Sequence, residues 1–135
     1  MKQLLFSLLI ILLGTTSVFS QTENQSFADI KFEKTKHDFG KIQAGKKVDC
    51  EFIFTSIGRE PLVIQQVRAS GGIMPSFSTS KILPGSSSSI KIEFNTMSIG
   101  GKFTRKILVN SNAKSGIAEL TITGIVEVTK DDQKK

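Results

Sequence analysis

The chain has few side chains that can perform acid–base or nucleophilic chemistry, and its single histidine is His37. A serine hydrolase needs a histidine that a carboxylate holds in place beside the nucleophile. Asp38 is adjacent to His37, so on a strand the two side chains point to opposite faces. The serine run at 86–89 follows Pro84-Gly85 and lacks a nucleophile elbow, which indicates a solvated turn. These residues predict no hydrolytic site.

Metal and cofactor sites have no better support. One histidine and one cysteine cannot supply the four ligands of a structural zinc site. No acidic loop resembles a calcium loop, and the only adjacent acids are Asp131-Asp132. No glycine-rich segment leads from a strand into a helix to bind phosphate. We therefore expect no metal and no cofactor, and we expect that the protein is not an enzyme.

The only cysteine is Cys50, so the chain has no internal disulfide and depends on packing for stability. Cys50 is in register with Val48, Phe52 and Phe54, and this pattern predicts a lone buried thiol that packs as a small hydrophobic side chain. The alternative is a reactive thiol or one that pairs between chains.

One segment combines glycines with apolar residues: Ser70, Gly71, Gly72, Ile73 and Met74. It follows a strongly β-forming run, and the two glycines release the backbone into what we predict is a loop. In one interpretation Ile73 and Met74 fold back onto the end of the core. In the other they form an exposed apolar contact surface, and the segment is our candidate interaction loop.

The elements that must position these residues are strands. Apolar and polar residues alternate in most of the chain after residue 29, as in Ile90-Lys91-Ile92-Glu93-Phe94. The segments with this pattern are 30–33, 48–55, 90–95, 102–109 and 118–123, and a β-branched run follows Pro61. Turn signals separate them, and no stretch shows sustained helical periodicity. We predict an all-β, immunoglobulin-like antiparallel β-sandwich of about seven strands, with an open barrel as the alternative.

The N-terminus has the pattern of a secretory signal peptide. Lys2 precedes an apolar run from Leu4 to Leu13 that only Ser7 breaks, and the small residues of 14–17 and Ser20 follow. The run is shorter than the roughly 20 residues that a membrane-spanning helix needs. No cysteine lies near the end of the predicted signal peptide, so we expect neither a transmembrane segment nor a lipid anchor. The predicted organisation is a signal peptide at 1–20, a flexible leader at 21–28, one domain at 29–127 and a charged flexible tail at 128–135.

The charge balance is basic, with 18 lysine and arginine residues against 12 aspartate and glutamate. The excess is spread along the strands, which favours a solvated surface. Modules that bind single-stranded nucleic acid stack bases on aromatic residues, and this chain has no Trp or Tyr. We expect no nucleic-acid partner. Binding to a surface polyanion stays as an alternative, and it predicts Lys31, Lys91, Lys102 and Lys106 on one sheet face.

The order of several motifs resembles the family called domain of unknown function 1573. The motifs are His37-Asp38-Phe39-Gly40-Lys41-Ile42, Gly45, Phe52-Ile53-Phe54 with Gly58, Pro61-Leu62-Val63-Ile64, Pro84-Gly85, Gly101-Lys102-Phe103 and Asn110-Ser111-Asn112. The resemblance covers roughly residues 29–127. It implies an exported immunoglobulin-like bacterial domain, abundant in Bacteroidetes and similar to hydin-type and major-sperm-protein-type domains.

One departure from the family is chemically important. Members often carry Ser-Cys-Gly-Cys-Thr after the third strand, and here Ser70, Gly71, Gly72, Ile73 and Met74 stand in those places. Any thiol function of relatives at this point is therefore absent from this chain, and the resemblance implies a fold and compartment without an activity.

We expect a non-enzymatic, exported binding or structural module, in the periplasm or outside the cell. Its partner is an envelope protein or a surface polymer, and contact is made through a sheet edge or the end loops. Besides polyanion binding, the alternative is an enzyme whose site the fold assembles from distant acids or from the lone thiol.

Overall fold

The computed structural model describes residues 26–97 and 99–128. They form the strands β1 (Ile30–Phe32), β2 (Lys36–Gln43), β3 (Lys47–Ser56), β4 (Ile64–Ala69), β5 (Ile73–Ser76), β6 (Ser87–Asn95), β7 (Gly101–Ser111) and β8 (Ala118–Glu127). Sheet I has the order β1-β3-β6-β5 and sheet II the order β2-β8-β7-β4. The predicted all-β sandwich is confirmed, with eight strands in the described residues instead of about seven.

The core lies between the sheets because the central strands alternate apolar and polar side chains. In sheet I, Phe52 pairs with Ile90, and neither side chain is accessible to solvent. In sheet II, Ile107 pairs with Leu120, and both are equally buried. Burial of each such side chain contributes about 1.5–3 kcal/mol. Packing therefore stabilises this domain without a disulfide.

The chain changes sheets halfway along both lateral edges of the sandwich. β1 pairs with β3 as far as Phe32–Phe54, and the chain then crosses to sheet II, where β2 pairs with β8 in parallel. On the other edge, β4 pairs with β7 as far as Ala69–Ile107, and the chain then reverses into β5, which lies in sheet I beside β6. We call these the β1–β2 edge and the β4–β5 edge. The parallel β2–β8 pair departs from the antiparallel arrangement that the sequence predicts.

Two residues assigned to the leader contact the sandwich. The Phe27 carbonyl accepts a hydrogen bond from Arg59 N at 2.8 Å, and the Ala28 carbonyl accepts one from Lys114 N at 2.8 Å. Ala28 is buried. A Cβ atom on Gly58 would lie 2.3 Å from the Phe27 carbonyl oxygen, so the close approach of the two segments requires glycine.

The segment 70–74 is a turn followed by a strand, which corrects the expectation of a loop throughout. The Ile73 N–H donates a hydrogen bond of 3.4 Å to the Ser70 carbonyl, and this bond closes the turn. Gly72 has a φ of 85°, in the left-handed region that favours glycine. β5 then begins at Ile73. The two glycines thus reverse the chain between the sheets.

The predicted signal peptide at 1–20, residues 21–25 of the leader and the tail from residue 129 lie outside the described residues. Within the described ranges, the chain has no helical segment with the length and hydropathy that a membrane crossing requires.

Candidate functional site

The structure divides the candidate interaction loop between the surface and the core. Ser70, Gly71 and Gly72 are exposed. Ile73 is 9% exposed and belongs to the core, whereas Met74 is 67% exposed on the outer face of sheet I. The Gly72 carbonyl accepts a hydrogen bond of 2.8 Å from the main-chain N–H at the end of β6. Met74 and the two-glycine turn are therefore the parts of this segment that a partner can contact.

A cavity of about 440 Å³ opens beside this turn. Its lining residues are Gly71, Gly72, Phe94, Asn95, Met97 and Ile99. The side chain of Met97 is 73% exposed. Sequence reasoning missed Met97 and Ile99, because the connection from β6 to β7 carries no motif and meets the glycine turn only in the folded chain.

Aromatic packing holds the wall of the cavity in place. The Phe94 ring is 1% exposed, and its centroid lies 4.8 Å from that of Phe103 on the opposite sheet. Aromatic pairs at this separation stabilise beyond their buried area. The wall of the cavity is thus part of the core.

Arg105 is an unexpected inward-facing residue on β7. It occupies the core-facing position between Phe103 and Ile107, both of which are buried. Its side chain is partly buried, and its Nε has no hydrogen-bond partner within the described residues. The sequence did carry the signal, because Arg105 interrupts the apolar face of Phe103, Ile107 and Val109.

His37 lies at the β1–β2 edge without a carboxylate partner among the described residues. Its Nδ1 is 3.1 Å from the Lys34 ammonium nitrogen. Its ring packs edge-on against the Phe39 ring, with 4.6 Å between the two ring centroids. Partial burial and the nearby Lys34 lower the pKa of His37. The Asp38 carboxylate instead accepts a hydrogen bond from Gly40 N at 2.8 Å. This geometry differs from that of a general base held by an acid.

Cys50 is partly buried, and not fully buried as the alternation of β3 predicts. It packs against the core from the β1–β2 edge. Burial raises the pKa of its thiol to about 11, although the nearby Lys34 opposes the shift. A thiol with this pKa is a weak nucleophile at neutral pH. In the described part of the chain, no three His, Cys, Asp or Glu side chains form a group suited to a metal ion.

The lysines of the polyanion alternative lie on opposite faces of the sandwich. Lys31 and Lys91 belong to β1 and β6 of sheet I, and Lys102 and Lys106 belong to β7 of sheet II. All four are exposed. The expectation that they share one face was wrong. The sequence could not give this result, because alternation places a residue inward or outward without saying in which sheet its strand lies.

The two packed four-stranded sheets form an immunoglobulin-like β-sandwich. The ASH / PapD-like domain 7 of human CEP192 has this fold. It matches with a TM-score of 0.63 and 8% identity, over 78% of this chain and 89% of that domain. An identity this low shows a shared fold alone.

The chain belongs to the family of proteins of unknown function DUF1573, whose model matches residues 30–126. This confirms the resemblance seen in the motifs. A protein of unknown function from Porphyromonas gingivalis W83 matches with a TM-score of 0.64 and 14% identity, over 74% of this chain and 47% of that one. The secreted serine protease VesC from Vibrio cholerae matches with a TM-score of 0.56 and 15% identity, over 73% and 23% respectively.

This chain thus matches about half of the Porphyromonas protein and about a quarter of VesC. No curated protein matches it.

Proposed function

We propose that the chain is an exported binding module of the bacterial cell envelope, and that it acts by contact with a partner instead of by catalysis. The observation that carries the proposal is a set of two exposed methionines near the two-glycine turn: Met97 lines the cavity, and Met74 follows the turn on the outer face of sheet I. Met74 is 67% exposed and Met97 is 73% exposed. Methionine adapts its shape to different partners, and apolar groups that surround a concavity are typical of contact surfaces.

The rigidity of the frame supports this function. Phe94 forms a wall of the cavity and is also part of the core. The main-chain hydrogen bond between Asn95 and Gly72 ties the turn to β6. A contact surface on such a frame loses little conformational freedom when a partner binds.

Export to the periplasm or the extracellular medium is supported by the N-terminal signal pattern. The neighbour VesC, described as secreted, contains the same fold within a longer chain. Localisation to the envelope agrees with a partner that is an envelope protein or a surface polymer.

Two other functions have less support. Polyanion binding through one face is disfavoured by the division of the lysines between the sheets. Catalysis is disfavoured by the surroundings of His37 and Cys50: the histidine meets a lysine and a phenylalanine, and the thiol has a raised pKa. Neither residue is arranged as an activated base or nucleophile.

The test compares two double variants in affinity capture from envelope extract. Met74→Ser with Met97→Ser removes the two exposed apolar side chains near the glycine turn, of which Met97 lines the cavity. Leu83→Ser with Ile117→Ser removes two side chains of similar exposure, 61% and 64%, at the other end of the sandwich. We expect the first variant to capture about tenfold less of the partner than the wild type does. The second variant should capture as much as the wild type.

Equal capture by the wild type and both variants would remove this surface from the proposal. Loss only in the Leu83/Ile117 variant would place the contact at the opposite end of the sandwich. Thermal unfolding of each variant checks that both still fold, since all four side chains are exposed.

A further inference from the structure

The β4–β5 edge leaves part of β7 without a neighbouring strand. β4 pairs with β7 only from Ile107 to Ser111. The chain then turns at Gly71-Gly72 and continues in sheet I. Within the described residues, no strand pairs with the outer side of Gly101–Arg105. This gap is about 17 Å long at the usual rise of a strand.

The main-chain groups of Lys102 and Thr104 point outward into this gap. Near the end of β7, Asn112 N donates to the Val63 carbonyl on the β4 side at 3.2 Å. Hydrogen-bonding directions alternate along a strand, so residues 102 and 104 face the same side as 112. The other side of β7 gives the same result. The Thr121 N–H of β8 points away from β7 and donates to the connection between β1 and β2. Two donors and two acceptors are therefore available to an added strand.

The cavity described above lies along this gap. Gly71 and Gly72, where the chain leaves β4, form one side of it, and Ile99, just before β7, forms another. Phe94 lines the cavity and contacts Phe103 of the unpaired stretch. A strand added to β7 directs alternate side chains inward, so an apolar side chain of a partner can enter the cavity.

The side chains around the gap carry positive charge. Lys102 and Arg105 make no salt bridge with the described residues, and Lys106 pairs with Glu119 at 3.2 Å. No acidic residue occurs in β7 itself. The charge complementary to this edge is negative.

We propose that the open edge of β7 binds an extended, acidic segment of a partner protein as an added strand. Lys102 and Thr104 supply the main-chain hydrogen bonds, an apolar side chain of the partner fills the cavity, and an acidic side chain faces Lys102. This inference rests on the proposed binding function and names the mode and chemistry of the contact.

The outer edge of β5 and the unpaired part of β3 fit such a segment less well. In β5, Pro75 has no N–H, and the Ile73 N–H points to Ser70 within the turn. The unpaired part of β3 carries Asp49 and Glu51, which repel an acidic partner. β7 is thus the edge whose charge and adjoining cavity agree.

The test uses the exported protein as the cell processes it, labelled for NMR. One probe is a short synthetic peptide in which aspartate alternates with valine or phenylalanine, and the other replaces each aspartate with lysine. We expect the aspartate peptide to slow amide hydrogen exchange at Lys102 and Thr104 about tenfold at saturation. Exchange at Lys31 and Lys91 stays unchanged, and the lysine peptide has no effect.

Thr104→Pro blocks the edge without removing a hydrogen bond to β8, because the Thr104 N–H faces the gap. Thr104→Val is the matched control, since it keeps the N–H and the β-branched shape. We expect the proline variant to weaken binding of the aspartate peptide about tenfold and the valine variant to bind as the wild type does.

Charge is tested with Lys102→Glu against Lys91→Glu, both at exposed strand positions. The Lys102→Glu substitution should weaken binding of the aspartate peptide about threefold at low salt and by less at high salt. It should strengthen binding of the lysine peptide. The second should change nothing. This pair keeps the proposal testable if Thr104→Pro fails to fold.

Protection of the Lys102 and Thr104 amides in the wild type, with protection of Lys102 lost in Thr104→Pro, supports the inference. Binding that is equal in the proline and wild-type proteins overturns it, as does an aspartate peptide that leaves both amides unprotected. Capture of an envelope partner that depends on Met74 and Met97 but not on Thr104→Pro leaves the proposed function intact and rejects strand addition alone.

Discussion

On both lateral edges of the sandwich the chain changes sheets, in one direction from β1 to β2 and with a reversal from β4 to β5, and each change leaves part of a central strand unpaired. At the β1–β2 edge, the last described contact to β3 is the hydrogen bond from Glu33 N to the Ile53 carbonyl at 3.0 Å. In the part of β3 that precedes this hydrogen bond, Asp49 and Glu51 lie on the exposed face, and Cys50 packs inward against the core. This gap is acidic and has a thiol beneath it.

At the β4–β5 edge the unpaired strand is β7, and its gap differs in charge and shape. Lys102 and Lys106 are exposed there, and the cavity lies beside it. The two gaps have the same backbone origin, so the backbone alone does not decide which one binds a partner. The side chains do, through charge and through the space that the two glycines leave open.

The largest expected difference between the edges is in packing. Phe94→Ala should lower the free energy of unfolding by about 3–5 kcal/mol, because the buried ring leaves a void next to Phe103. Phe32→Ala, at the β1–β2 edge, should cost about 1–2 kcal/mol because that ring is only partly buried. Urea denaturation measures both, and equal losses would contradict the view that the core extends to the cavity.

Glycines give the next contrast. Gly58→Ala should cost about 2 kcal/mol, because a Cβ there meets the backbone of residues 27–29, which lead into β1. Gly71→Ala should change the free energy of unfolding by no more than about 0.5 kcal/mol, because no atom lies within 4 Å of the added Cβ. Thermal unfolding of the two variants compares them, and a costly Gly71→Ala would mean that the turn is packed and not open.

Thiol reactivity contrasts the edges chemically. The raised pKa of Cys50, about 11, leaves little thiolate at pH 8. A Met74→Cys substitution in a Cys50→Ala background places the thiol at an exposed position. This thiol should react with an alkylating reagent about 10- to 100-fold faster than Cys50 does in the wild type. The Cys50 rate should keep rising with pH up to about 11. A Cys50 rate that levels off near pH 9 would contradict the burial of its sulfur.

The smallest expected effect is a pH dependence at the β1–β2 edge. Burial lowers the pKa of His37, so the unfolded chain binds a proton more readily than the folded one. The contribution of His37 to stability is therefore present above pH 6.5 and is lost as the pH falls through the lowered value. Denaturation midpoints between pH 7 and 5 should fall less in His37→Gln than in the wild type, and parallel curves would contradict the assignment.

Much of the fold could be predicted from residue patterns. The alternation in β3 and β6 indicated inward and outward faces correctly, with Phe52 and Ile92 inaccessible and Glu51 and Lys91 exposed. The turn signal at Pro84-Gly85 also matches, with Gly85 at a φ of 83°, but the serines at 87–89, expected in a solvated turn, belong to β6. These features are local, because a two-residue period and a turn preference act between neighbours in the chain.

The candidate site was predicted only in part. The segment at 70–74 was identified, but Ile73 proved to be core, and Met97 and Ile99 were missed. Arg105 was missed because a single charged residue did not alter an otherwise apolar pattern. The places of Ile73, Met97 and Ile99 depend on which distant segment lies across from each residue, and one-dimensional periodicity does not contain that information.

By itself the sequence determined the strand content, the inward faces, the family and the absence of a cysteine pair at 70–74, since these follow from residue type and near-neighbour spacing. The tertiary structure decided which strands share a sheet, where each edge strand crosses over, and therefore which main-chain groups remain free. It also divided the lysines between two faces and brought the β6–β7 connection beside the glycine turn. Those outcomes depend on packing between segments that are far apart in the chain, where alternation alone allows several arrangements.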